Sequence, residues 1–109
     1  IEVPSDSQGV LQDIHWSHGS FGYFPTYTIG SFYAAQFYNQ ASNEISNIDS
    51  KIEKGDTKEL LKWLREKIHN HGERYDAKDL CKKITGEELN FKFFMNYATN
   101  KYSKIYNLS

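Results

Sequence analysis

His15 and His18 stand three residues apart in the stretch GVLQDIHWSHGSFGYFPTY, residues 9–27, which also holds Gln12, Asp13, Trp16, Tyr23, Phe24 and Tyr27. Side chains of these types can ligate a metal, move protons or donate hydrogen bonds to a developing negative charge. A spacing of three would put both imidazoles on one helix face beside Asp13. Gly19, however, is expected to end the helix next to His18, and no complete ligand set is visible. His69 and His71 are two apart and would point to different faces. A Ser-His-Asp hydrolase finds no serine in a G-x-S-x-G turn, and no glycine pattern forms a phosphate loop. Taken singly, each histidine has a structural or surface role as its default. The aromatic density is harder to dismiss. Nine of the seventeen aromatic residues fall between Trp16 and Tyr38, a concentration costly to expose, so something should cover it.

The elements that must position these groups belong to a chain of 109 residues, the size of one domain. Thirteen basic residues against fourteen acidic ones leave a net charge of -1. That balance gives no electrostatic footprint for nucleic acid or an anionic membrane, and neither is an expected partner. No apolar run reaches the roughly 18 to 20 residues of a membrane span, and the start IEVPSDSQ lacks the regions of a signal peptide. The lone cysteine, Cys81, has no internal disulfide partner and reads as a small buried hydrophobe, in keeping with a reducing cytoplasm. The first residue is not methionine, which leads us to expect a fragment or a processed product.

Periodicity predicts helices and no strand. Ser5 and Asp6 would cap a helix over residues 7–16 carrying Val10, Leu11 and Ile14. Gly19 and Gly22 break it. Pro25 suits the first turn of the next helix, whose stripe of Ile29, Phe32, Tyr33 and Phe37 should face a core through about residue 46. Asp56 with Glu59 resembles a capping box before Leu60, Leu61, Leu64 and Ile68, and Gly72 follows as a stop. Asp76 caps a shorter helix with Leu80, Cys81 and Ile84, ended by Gly86. A last helix should run from about Glu87 with Phe94, Tyr97 and Ile105 inward. Four or five helices result. The lysines of KELLKWLREK and LCKKITG alternate with these apolar positions and read as solvated helix faces.

The string GVLQDIHW, Gly9 to Trp16, matches the G-x-x-Q-D-x-H-W pattern of the M32 family of metallocarboxypeptidases, the group similar to carboxypeptidase Taq. The continuation FGYFPTYTIGSFYAAQ also resembles that family, as does the tail around DLCKKITGEELN. Phe91 stands where the family usually has a proline, and His18 where a smaller residue is usual. The resemblance implies an all-α fold: a helical C-terminal segment of a larger, groove-shaped, neurolysin-like metallopeptidase, with residues 1–109 as a single helical piece of it. It implies an enzyme that removes single residues from peptide C-termini with zinc or cobalt, held by an H-E-x-x-H helix and a later glutamate. No H-E-x-x-H occurs here, so no metal ligand is assigned in this chain, and the isolated chain is expected to be inactive.

By the same resemblance, His15 and Tyr27 are the expected catalytic donors to the oxyanion formed when water attacks the peptide carbonyl, with Tyr23 the rival for the second place. Trp16, Phe24 and Tyr23 would contact substrate, while Gln12 and Asp13 would orient the imidazole. Gly19 and Gly22 would let the backbone turn sharply enough to bring both donors together. The implied partners are a peptide substrate, the upstream part of the same enzyme and a second copy in a homo-oligomer. The alternative is a free-standing helical module that binds peptide or protein through its aromatic face.

Overall fold

A computed structural model describes residues 2–108, and among them every regular element is helical. In chain order α1 is Ile14–Ser17, α2 Pro25–Glu44, α3 Ile48–Glu53, α4 Lys58–Lys67, α5 Ala77–Thr85 and α6 Lys92–Tyr106. Single 3-10 turns cover Asp6–Gln8, Val10–Gln12 and His69–His71. The helix expected over residues 7–16 is thus replaced by two turns and a four-residue helix. Gly9, at φ -117 and ψ -117, interrupts the first run. The Asp13 carboxylate then accepts from the His15 N–H at 3.0 Å, which starts a new helix instead of continuing an old one.

Helix α2 begins at Pro25 and runs for 20 residues. It ends at Ile45, and Asn47 adopts a left-handed φ of 59 that turns the chain into α3. The sequence reading had no helix at α3. Asp56 accepts from the Lys58 N–H at 3.3 Å, but Glu59 does not complete a capping box. Instead its carboxylate pairs with Lys51 on α3 at 2.8 Å. Helix α5 has the expected ends, with Asp76 accepting from the Asp79 N–H at 2.9 Å and Gly86 left-handed at φ 83.

The core is small. Ala41, Ile45, Ile48, Trp63 and Ile84 are buried together, and Phe37, Leu60, Leu64, Ile68 and Leu80 pack against them. Trp63 donates its indole N–H to Glu44 at 2.8 Å, and Lys67 lies 3.2 Å from the same carboxylate. Hydrogen bonds from Gln40 and Trp63 hold the Glu44 carboxyl below the usual carboxylate range. Cys81 is fully buried, and burial pushes its thiol upward.

Gln36 is the one buried polar side chain among the described residues, at 1% exposure. It donates to Thr85 Oγ1 at 3.0 Å and to the Glu88 carbonyl at 3.1 Å, and accepts from the Asn90 N–H at 2.9 Å. These bonds hold residues 86–90 in an irregular path against α2, so α6 starts at Lys92 and not near Glu87. Asn90 caps it by accepting from the Lys92 N–H at 3.1 Å. Phe91 has φ -57, a value proline itself would impose, and its ring meets Phe32 at 4.8 Å. Phe94 also packs on Phe32, at 5.1 Å, whereas Tyr97 and Ile105 are exposed, contrary to the inward stripe expected of them.

Ile29 and Leu61 are exposed as well, and so is every residue from Phe21 to Ser31. The radius of gyration is 18.0 Å, against about 13 Å for a compact domain of this length. The accessible surface is 8574 Å², where a compact monomer of this mass would show about 6,200 Å². The first turns of α2, with the loop before them, therefore project away from the packed helices and present aromatic rings to water.

Candidate functional site

The projecting end gathers most of the residues singled out from the sequence. Asp13 sits at the start of α1 and uses one oxygen twice, accepting from the His15 N–H at 3.0 Å and lying 2.6 Å from His15 Nδ1. The backbone bond first, and then the imidazole bond, lower the Asp13 carboxyl from its ordinary value. A carboxylate only accepts, so Nδ1 carries a proton and the ring presents Nε2 to the opposite side.

There Nε2 meets the Tyr27 hydroxyl at 3.4 Å. Tyr27 reaches it from the first turn of α2, twelve residues on in sequence. The turn between is made by Gly19 and Gly22, both at φ +78, a backbone conformation that side-chain-bearing residues rarely adopt. Thr26 fastens the start of α2 by donating its hydroxyl to the Tyr23 carbonyl at 2.7 Å.

Aromatic rings surround the imidazole. Tyr23 stacks over it at 5.8 Å and 21°, whereas Phe24 and Tyr27 approach edge-on at 5.4 and 5.8 Å. Tyr23 therefore offers His15 its face, and its hydroxyl makes no hydrogen bond to the ring. Trp16 turns outward to meet Phe21 edge-on at 5.1 Å. Gln12 does not reach the imidazole; its amide donates to the Ser7 carbonyl and braces the turns before α1. His18 lies 5.5 Å from His15, with Nδ1 held 2.9 Å from the Ser20 hydroxyl.

Asp13, His15, Trp16, Ser20, Phe21, Gly22 and Phe24 together line a recess of about 200 Å³. Phe21 and Ser20 had no assigned role in the sequence reading. Their signal was the F-G-Y-F run itself, which places an aromatic ring on each side of a glycine. A separate groove of about 570 Å³ lies between α2 and α6, lined by Ala34, Ala35 and Tyr38 on one side and Phe94, Tyr97 and Asn100 on the other.

Among the described residues, no group of three or more His, Cys, Asp or Glu side chains is placed to hold a metal ion. His69 and His71 lie in their own 3-10 turn, where His71 packs edge-on against Tyr75 at 5.3 Å. No described helix is long and apolar enough to cross a membrane. The arrangement of Asp13, His15 and Tyr27 sets the Tyr27 hydroxyl beside the outward Nε2 of His15, next to a recess walled by aromatic rings.

Residues 1–102 match the family described as carboxypeptidase Taq (M32) metallopeptidase. The chain is 46% identical over 96 residues to thermostable carboxypeptidase 1 of Pyrococcus furiosus, covering 88% of this chain and 19% of that protein. To carboxypeptidase 1 of Bacillus subtilis it is 43% identical over 106 residues, covering 97% and 21%. The crystal structure of the M32 carboxypeptidase from Deinococcus radiodurans superposes with a TM-score of 0.84 at 34% identity, covering 99% of this chain and 22% of that one. The chain thus spans about a fifth of the length of these relatives. Matched over nearly its whole length in sequence and in helical fold, it belongs to the M32 metallopeptidase family.

Proposed function

We propose that this chain is the C-terminal portion of a metal-dependent carboxypeptidase that removes single residues from peptide C-termini, and that it supplies the donors for the transition state. The observation carrying this reading is the meeting of His15 Nε2 and Tyr27 OH at 3.4 Å, with Asp13 fixing the ring from behind. When water attacks a peptide carbonyl, negative charge develops on its oxygen, and donors aimed at that point stabilise the transition state more than the substrate. Tyr27 brings an O–H, and Nε2 of His15 would donate beside it whenever it carries a proton, while Asp13 keeps the proton on Nδ1. The 3.4 Å separation is too long for a strong mutual bond, so both groups are available to a third oxygen.

A metal such as zinc or cobalt does not fit the described residues of this chain, since they form no ligand set. In the proposed enzyme its ligands come from the upstream part, which also covers the aromatic end, and the isolated chain is inactive. Peptide substrate, that upstream part and a second copy in a homo-oligomer are the proposed partners. The buried, unpaired Cys81 is in keeping with a cytoplasmic setting. The competing reading, a free-standing helical module, draws on the same exposed rings.

Assay of the complete polypeptide on amino-blocked peptides, with zinc or cobalt supplied, separates the two. Chelator-sensitive release of single C-terminal residues is expected from the complete polypeptide and none from residues 1–109. His15→Ala in the complete polypeptide should lower kcat and leave KM little changed. No release with either metal, or release by the 109-residue chain alone, would overturn the proposal.

A further inference from the structure

We infer that the recess beside His15, walled by Trp16, Phe21 and Phe24, is a subsite for one apolar side chain of the peptide flanking the bond that is cleaved. The inference rests on the proposed peptidase function and adds to it a determinant of specificity at Phe21. Size is the first argument. At about 200 Å³ the recess falls below the roughly 300 Å³ at which pockets for whole small molecules begin, so it admits a single side chain. Position is the second, because His15 and Asp13 form its rim and place the occupant next to the donors.

Chemistry supplies the third argument. Trp16 and Phe21 meet edge-on at 5.1 Å and give an aromatic wall. Of the polar side chains that line it, Asp13 and His15 bond each other through Asp13 Oδ1, and the Ser20 hydroxyl bonds His18. The Asp13 carboxylate would repel an acidic guest, and the rings of Trp16, Phe21 and Phe24 favour an apolar one. At Gly22 an added β-carbon would meet no atom within 4 Å, so the space above this glycine is open. Phe21 is 71% exposed and lies outside the packed core of this chain.

The test is substrate selectivity of the complete polypeptide carrying Phe21→Trp, which narrows the recess, or Phe21→Leu, which keeps an apolar wall. Two peptide series are needed, one varying the C-terminal residue and one the residue before it, each comparing Phe with Ala. In the series whose varied residue occupies the recess, Phe21→Trp should cut the Phe-over-Ala ratio of kcat/KM by roughly tenfold. Phe21→Leu should restore most of it. The responding series tells which side of the bond the recess serves. A ratio unmoved in both series would overturn the subsite. Failure of the unsubstituted polypeptide to cleave any peptide would instead strike the function beneath it and remove the subsite with it.

Discussion

Replacing Tyr27 by phenylalanine in the complete polypeptide of the proposed enzyme removes one hydroxyl and keeps the ring, and two very different costs can be worked out for that change. Tyr27 is 53% exposed, and its hydroxyl has His15 Nε2 at 3.4 Å as its one hydrogen-bond partner among the described residues. So long a contact contributes within about 0.5 kcal/mol to folding, and the melting temperature should hardly move. A donor aimed at a developing oxyanion contributes roughly 3 to 4 kcal/mol to the transition state, which is a hundredfold to a thousandfold in kcat. Steady-state kinetics on a blocked peptide, paired with thermal melting, reads both quantities. We expect kcat to fall by at least about a hundredfold with KM nearly unchanged. A kcat within threefold of native would refute the donor role of Tyr27. Tyr23→Phe is the internal control, because Tyr23 stacks its face on the imidazole. Should that variant lose turnover while Tyr27→Phe keeps it, the wrong tyrosine has been chosen.

Gln36→Met keeps the side-chain volume but strips three buried hydrogen bonds and leaves the Asn90 N–H without its acceptor. Urea unfolding followed by circular dichroism should show a loss of about 2 kcal/mol, and an unchanged midpoint would contradict the bracing role. Asp13 is held below the ordinary carboxylate value of 3.8 by its bonds to His15. Its contribution to the start of α1 is therefore present above pH 3.8 and lost as pH falls through the lower folded value. The His15 amide resonance should shift with a midpoint below 3.8, and a midpoint at or above it would refute the bond. Tyr38 is pushed up to about 12, by burial first and then by its hydrogen bond to Asp49 at 2.6 Å. Stability from the neutral phenol is present below pH 10 and lost as pH rises through about 12. An ultraviolet titration should contain a late-ionising tyrosine that Tyr38→Phe lacks.

What could be read from the sequence was local chemistry. The ends of α5 are set by Asp76 and Gly86 within the helix's own turns, and Pro25 fixes the start of α2 through its own ring. Where the sequence reading differed, the deciding partner lay elsewhere in the chain. Residues 87–91 looked helical, but Gln36, about fifty positions earlier, captures their backbone. Glu59 sat at a capping position, yet Lys51 on another helix claimed it. The helix over residues 7–16 failed for a local reason that propensity hides, since Asp13 caps the segment more effectively than Asp6. Tyr97 and Ile105 have helical spacing, but neither reaches the small core: Tyr97 stays on the wall of an open groove and Ile105 in solvent. In the candidate site the residue types of Asp13, His15 and Tyr27 were legible, as was the hinge at Gly19 and Gly22. The outward turn of Gln12 and the recess at Phe21 were not, because both depend on the path of a loop without periodicity.

The bracing by Gln36 also bears on how this chain can vary. Two of its three partners, the Glu88 carbonyl and the Asn90 N–H, are main-chain atoms that every residue except proline supplies in full. Constraint is therefore lopsided. Position 88 can drift through most side chains without loosening the joint between α2 and α6, while position 36 has few replacements that both donate and accept from the same reach. A saturation library scored for folding should show a nearly empty row at 36 and a full one at 88.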